Sequence, residues 1–427
     1  MNYIRRQYDQ VVEGGLLVLK RKINNLYIKF LSFLILPLMF PTVLLIRLIC
    51  IFFIIRFKKL EGYRIGHFLG FIEIYLCEKK HSINIPKKKY IDLFCVERPI
   101  CNYELVEMYK RVLSIWPVWI LDPLIKVNRL LPKWQINDIG NNTQNDRDVN
   151  NLLHKSDPVF KFTLDEIKKG NACLRFMGIP EGSPFVCLIV RDSAYLDSCI
   201  QKDWSHHNYR DGNIANYVLA AEELARRGFF VIRMGAKMKA PLKSKNPKII
   251  DYAFNGMRTE FMDIYLGSRC EFCISTGTGW DAVPGWMFRK PLLLVNLLPL
   301  HNVPSWSEKF IFTTKRMIDT KTNNELSLSE TIEKSIQFFG RPGYRHKSSD
   351  IEFIETTPEE IRDAVVEMVE RLAGIWKPHE NDEALQRRFW EIFPTNILEE
   401  SNKRPLHGKI NARFGADFLR NNKGWLK

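Results

Sequence analysis

Residues 184–198 read PFVCLIVRDSAYLDS, and residues 214–235 read IANYVLAAEELARRGFFVIRMG. The first is an apolar run of strand length that breaks into charges and hydroxyls. The second is a helix-periodic stretch that stops at Gly228 and passes straight into another apolar run. A run with no polar face to turn toward water belongs inside a parallel sheet covered on both sides. The alternation continues with a helix over 258–268 (RTEFMDIYLGS), a strand over 270–276 (CEFCIST), a short helix within 281–289 (DAVPGWMFR) and a strand over 291–296 (PLLLVN). Strands and helices in turn predict an α/β fold with a doubly wound parallel sheet and flanking helices.

Upstream, a glycine-containing turn and helix over 63–80, a strand over 90–97 and a helix over 102–116 suggest a second, smaller Rossmann-like unit. The chain has 427 residues and is 46% hydrophobic, more than the roughly 250 to 300 residues at which a single core stops growing. Four segments are expected: 1–57 for membrane attachment, 58–180 as an N-terminal domain, 181–345 as a nucleotide-binding domain, and 346–427 as a C-terminal helix and basic tail. In the last, Thr357, Pro358 and Glu360 supply an N-cap, a first-turn proline and a capping-box partner.

Residues 30–55, FLSFLILPLMFPTVLLIRLICIFFII, exceed the ~20 apolar residues that span a bilayer. Pro37, Pro41 and Arg47 count against a plain span, and both flanks are basic, with Arg5, Arg6, Lys20, Arg21 and Lys22 before and Arg56, Lys58 and Lys59 after. The expected form is a helix pair, bent at the prolines and dipping into one leaflet; a single span and a buried core helix are the alternatives. The net charge of +15 calls for an anionic partner. Its concentration around the apolar run and in the tail (Arg404, Lys409, Arg413, Arg420, Lys423) suits a membrane surface. Zinc-finger, basic-heptad and RNA-binding aromatic patterns are missing, so nucleic acid is not an expected partner. Cys187, Cys270 and Cys273 lie in apolar strands and read as reduced core residues. Asp146 and Asp148 form a DxD within the polar stretch 137–151, without a preceding strand, and Asn141 with Thr143 forms a sequon there. A solvated loop is expected, and no metal site.

In an open parallel sheet, ligands sit beyond the C-terminal strand ends. Arg191 and Asp192 follow the first strand, and residues 205–213 then bring His206, His207, Tyr209, Arg210 and Asp211 close together in sequence. Arg233 and Gly235 end the second strand; Ser275, Thr276, Gly277, Thr278 and Gly279 follow the third. Glycines and hydroxyls let backbone N–H groups approach phosphate oxygens, and a guanidinium makes paired bonds to phosphate without losing its charge. The competing readings are a turn used only for packing at 275–279 and an acidic neighbour for Arg233. Neither GxGxxG nor Gly-Lys-Ser/Thr is present, which disfavours nicotinamide binding and ATP hydrolysis.

With YRIGHF (63–68), VRDSAYL (190–196), HHNYRDGNIANY (206–217), VIRMG (231–235), IIDYAFNGMRTEFMDIYL (249–266) and ISTGTG (274–279) taken together, the chain resembles bacterial glycosyltransferases associated with surface-polysaccharide synthesis, over residues 60–298. The resemblance implies a GT-B fold of two Rossmann-like domains, the C-terminal one holding a nucleotide-sugar donor and the N-terminal one facing a lipid-linked or oligosaccharide acceptor. It implies work on lipopolysaccharide O-antigen or capsule at the cytoplasmic face of the bacterial inner membrane. No cofactor is expected; cations and helix N-termini would stabilise the departing diphosphate. An inverting transfer needs a base at the acceptor hydroxyl. His67 and Glu73 are the candidates from the N-terminal side of the cleft, and Asp192 from the other. A nucleotide-sugar epimerase and a catalytically silent membrane-bound assembly protein are the alternative functions.

Overall fold

The computed structural model describes residues 2–140, 148–199, 205–304, 306–339, 350–395, 405 and 408–427. The chain forms two compact units, Met1–Phe68 with His81–Asn142, and Leu69–Lys80 with Thr143–Lys427.

In the first unit, β1 (Ile54–Leu60), β2 (Tyr90–Val96) and β3 (Ser114–Ile115) form a parallel sheet in that order. β1 starts inside the run expected to be wholly membrane-bound: Ile54 and Ile55 pair with Tyr90 and Ile91. An apolar run that continues through a helix-to-strand junction hides the junction from any reading of hydropathy. Arg56, expected as a flanking cation, is buried instead. Its Nε and Nη2 each donate to an Asp92 carboxylate oxygen on β2, both at 2.7 Å. The helix expected over 102–116 shrinks to Tyr103–Tyr109, started by Asn102, whose Oδ1 accepts the Leu105 N–H at 2.8 Å.

The N-terminal segment is one helix, Asn2–Ile49, not a bent pair. Pro37 and Pro41 each remove one backbone bond, but their four-residue spacing puts both losses on one face. The Thr42 hydroxyl donates to the Leu38 carbonyl at 2.7 Å in the same turn. The last turns lie against the Val118–Leu130 helix, where Val43 packs with Leu121, Leu124, Ile125 and Phe57. Arg47 is therefore held by protein rather than placed at depth in lipid. Its Nη2 donates to Asn128 Oδ1 at 2.8 Å and the guanidinium also binds the Asn128 and Pro132 carbonyls, where a helix end carries partial negative charge. Within this helix, Lys22–Ile49 is long and apolar enough to cross a membrane, and Ile23, Leu26, Phe30, Phe33 and Leu34 are exposed.

The second unit contains β4 (Phe185–Ile189), β5 (Phe230–Arg233), β6 (Ile249–Ile250), β7 (Cys273–Ser275), β8 (Leu292–Leu294), β9 (Ile311–Phe312), β10 (Arg316–Asp319), β11 (Asn324–Glu325), β12 (Ile351–Ile354) and β13 (Arg413–Phe414). Seven of these make a parallel sheet in the order β6-β5-β4-β7-β8-β9-β13, while β11-β10-β12 form a small antiparallel sheet. All five residues of β4 are buried. Val186, Leu188, Ile274 and Leu293 pack with Ala220, Ala221 and Leu224 of the Val218–Arg226 helix and with Ile361, Val365 and Met368 of the Pro358–Leu372 helix. The latter begins with the expected Thr357–Glu360 capping box.

The C-terminal tail is a structural part of this unit. β13 pairs with β9, and Phe414 packs among Phe312, Phe389 and Trp425. Arg413 pairs with Glu383 at 2.5 Å and Arg420 with Asp382 at 2.6 Å, so neither is a spare cation for a membrane. Residues 148–180 also belong here: the Tyr265 hydroxyl bonds Asn171 Oδ1 at 2.6 Å, and Phe162 stacks on Phe288. Asp148 is not in a solvated loop. It is buried, and its carboxylate accepts the N–H groups of Leu152 and Leu153, both at 2.8 Å, at the start of the short Leu152–Lys155 helix. Asn141, Thr143 and Asp146 lie outside the described residues. Cys187, Cys270 and Cys273 are free and buried.

Candidate active site

After β4 the chain fills one side of the sheet with β5 and β6, then returns to the other side for β7, β8 and β9. β4 and β7 thus flank the point at which the strand order reverses, and it is at the C-terminal ends of such strands that open α/β sheets bind ligands. Residues 190–192 and 276–279 meet there. The Arg191 N–H donates to Thr276 Oγ1 at 2.8 Å.

The 275–279 turn is built differently from the expected phosphate cradle. Ser275 Oγ donates to Asp281 Oδ2 at 2.7 Å and accepts the N–H groups of Gly277 and Thr278 at 3.1 and 3.2 Å. The Thr276 N–H donates to the Ile189 carbonyl at 3.3 Å. Three amides of the turn are thus satisfied within the protein, and Gly277 closes it at φ +73°, a conformation other residues adopt only at a cost. Thr278 Oγ1 and Arg210 Nε are buried and find no hydrogen-bond partner among the described residues. Arg210 is held in place by its Nη2, which donates to the Gly277 carbonyl.

Two further cations reach the same edge. Arg191 pairs with Asp211 at 3.1 Å. Lys315, just past β9, donates to the Asp211 carbonyl at 2.5 Å and lies 3.8 Å from Glu355. Burial pulls the Lys315 ammonium below its ordinary pKa and pushes the Asp211 carboxyl above its own. Glu355, just past β12, accepts the Asn213 N–H at 3.0 Å and Asn216 Nδ2 at 3.3 Å. Neither Lys315 nor Glu355 was anticipated. Lys315 comes after the apolar run 310–312 and Glu355 after the alternating stretch 351–354, IEFI, and these short strand-like stretches are the available signal. Under the turn, burial pushes the Asp281 carboxyl up to about 6, against the opposing pull of Ser275 and Arg210.

Arg233 does not join this group. Its side chain is 1% exposed, with Nη1 3.4 Å from Asp251, Nη2 donating to the Ala240 carbonyl at 3.0 Å, and the guanidinium over Phe254. Gly235 beside it, at φ +151°, leaves no room for a Cβ, which would come within 2.5 Å of Met238. The β5 end closes on itself. Tyr209 packs its ring against Phe353, and His207 is half-buried; the His206 side chain lies outside the described residues. In the 249–266 block, Tyr252 and Arg258 both bind Asp263, at 3.3 and 2.5 Å, and Trp280 Nε1 donates to the Asp263 carbonyl at 3.1 Å. This block braces the turn from beneath.

Among the candidate bases, Asp192 is engaged at both oxygens: Oδ1 accepts the Ala194 N–H at 3.0 Å and Oδ2 the Lys239 N–H at 2.8 Å, tying the β4 and β5 loops together. Glu73 is fully buried and paired with Arg289 at 2.8 Å within the second unit, so it faces no solvent. His67, in the first unit, is about one-third exposed, with Nδ1 3.4 Å from Glu61 Oε2. It does not stand where the chain leaves the N-terminal helix. The seven residues of β1 intervene, about 23 Å of extended chain. Among the described residues there is no cluster of three or more His, Cys, Asp or Glu side chains placed to hold a metal ion.

No protein-family model matches the chain, and no curated protein matches it. Among solved structures it is similar to a family 9 glycosyl transferase of Veillonella parvula DSM 2008, at 10% identity over 75% of this chain and 96% of that one, with a TM-score of 0.41. It is also similar to the E. coli ADP-heptose lps heptosyltransferase II, at 11% identity over 66% and 96%, TM-score 0.34. A third is E. coli heptosyltransferase WaaC, solved with ADP-2-deoxy-2-fluoro heptose, at 10% identity over 67% and 98%, TM-score 0.30. At such identities and scores nothing further about this chain follows from the likeness.

Proposed function

We propose that this chain is a glycosyltransferase of the GT-B kind that takes a sugar from a nucleotide-sugar donor and adds it to a lipid-linked or oligosaccharide acceptor of a bacterial surface polysaccharide, lipopolysaccharide O-antigen or capsule, at the cytoplasmic face of the inner membrane. The observation that carries the reading is the convergence of Arg191, Arg210 and Lys315 on the crevice between β4 and β7, with two buried donors, Arg210 Nε and Thr278 Oγ1, lacking partners among the described residues. Such donors in a low-dielectric site favour the charge that develops on a departing diphosphate. The acceptor hydroxyl attacks the anomeric carbon as the bond to the diphosphate breaks, and its proton passes to a base. We assign that role to His67, which is half-buried and has a carboxylate, Glu61, beside its ring. The exposed apolar helix supports attachment to the membrane that would carry such an acceptor.

Incubation with labelled nucleotide sugars and lipid-linked acceptor tests the reading. Labelled acceptor is the expected product; epimerised sugar or unchanged donor would replace it with one of the alternative functions. A thermal-shift screen across nucleoside diphosphates should yield one that raises the melting temperature, since a ligand that binds only the folded state stabilises it. His67→Ala should keep that shift while lowering turnover by about two to four orders of magnitude. Unchanged turnover would remove His67 from the mechanism.

A further inference from the structure

Five apolar side chains gather where the N-terminal helix joins the first unit: Leu48, Ile51, Phe52, Leu130 and Ile136. All are exposed, Phe52 by 81% and Leu130 by 79%. Contacts between their neighbours hold them in one region. Arg47 binds Asn128 and the Pro132 carbonyl, Asn137 Nδ2 donates to the Cys50 sulfur at 3.1 Å and to the Ile55 carbonyl at 2.7 Å, and Lys88 Nζ donates to the Ile51 carbonyl at 3.0 Å. This is the edge of the sheet from which β1 and β2 start.

The rim is cationic. Lys87, Lys88 and Lys89 are all exposed immediately before β2, and Lys133 is exposed beside Pro132. The Arg129 guanidinium lies 5.6 Å from the centroid of the half-buried Trp134 ring, with Asp138 as its acidic neighbour at 3.9 Å. Apolar side chains edged by lysines and an indole match a bilayer interface, where chains meet acyl carbon, ammonium groups meet lipid phosphate and indole lies at headgroup depth. A protein-binding surface would be poor in lysine. The patch also continues the exposed face of the helix through Leu44 and Leu45.

We propose that this collar is a second membrane-contact site, seating the starting edge of β1 and β2 in the headgroup layer of an anionic bilayer. The first unit then rests on the membrane and does not hang from the helix. The inference builds on the attachment proposed above and goes beyond it, because the helix alone would hold the chain without any of these side chains touching lipid.

A nitroxide label on full-length Leu130→Cys, and another on Glu97→Cys just past the far end of β2, would be compared in protein bound to phosphatidylcholine–phosphatidylglycerol vesicles, with labelled unsubstituted protein subtracted. At position 130, collisions with oxygen should exceed those with a water-soluble nickel chelate; at position 97 the order should reverse. Phe52→Cys repeats the measurement should Leu130→Cys fail to fold. Nickel access at 130 and 52 as free as at 97, in protein that floats with the vesicles, would overturn the collar and leave the helix attachment standing. Protein that fails to float with the vesicles would overturn both.

Discussion

At the end of β5, Arg233 is enclosed by Asp251, the Ala240 carbonyl and the Phe254 ring. Beside the β4 and β7 ends, Arg210 is fixed by the Gly277 carbonyl and has the buried Asp281 carboxyl as an electrostatic neighbour; both arginines keep a buried Nε without a hydrogen-bond partner among the described residues. Two arginines at one edge of one sheet thus differ in what already binds them: Arg233 pairs with a carboxylate, and Arg210 bonds a neutral carbonyl. A cation that already has its own carboxylate completes a core, while one held by a carbonyl has more of its charge left for an incoming anion.

The largest expected effect tests the enclosed side. Arg233→Ala strands Asp251, whose other oxygen accepts the Leu242 N–H at 2.7 Å, and should cost about 3 to 5 kcal/mol of folding stability in urea titrations. Nucleoside diphosphate affinity of the folded fraction should hold. A variant of normal stability that has lost affinity would reverse the comparison.

Arg210→Ala should show the opposite pattern. Removal of one charge-assisted contact weakens nucleoside diphosphate binding by about 1.5 to 3 kcal/mol, more than tenfold, as read by calorimetry, with little change in melting temperature. Normal binding would leave Arg191 and Lys315 to account for the site.

A pH series sharpens the picture beneath the turn. The folded Asp281 carboxyl is pushed up to about 6 from an ordinary 3.8, so the stability it contributes is full below about pH 4 and lost as pH rises through 6. Relative to the parent protein, Asp281→Asn should therefore be about 1 to 3 kcal/mol more favourable at pH 7 than at pH 4. Unfolding midpoints that move in parallel at both pH values would show that burial does not penalise this carboxylate. The smallest effect is expected from Thr278→Val, about 0.5 to 1.5 kcal/mol of diphosphate affinity for one neutral donor. No loss would mean that the Thr278 hydroxyl lies outside the ligand's reach.

Much of the architecture is legible in the sequence. The apolar runs that became β4, β7 and β8, and the Thr357–Glu360 box that starts its helix, depend on residues within a few positions of one another. Burial preference and capping are local properties, so a one-dimensional pattern carries them. β9 and β13 escaped because two-residue strands have no period, and β1 because its apolar start merged with the helix before it.

The chain's composition determined that it has an exposed apolar helix, a parallel α/β core and a cluster of polar groups after the strands. Only the tertiary structure decided which of those groups face a ligand. Arg233 met Asp251 from 18 residues away, and Lys315 met Asp211 from 104. Ser275, four residues from Gly279, turns inward and takes two of the amides that its motif would offer outward. Each outcome depends on a partner's distance and orientation, and charge pairing and hydrogen bonding fall off within a few ångströms. Residue type shows what a side chain can bind, and the fold determines what it has already bound.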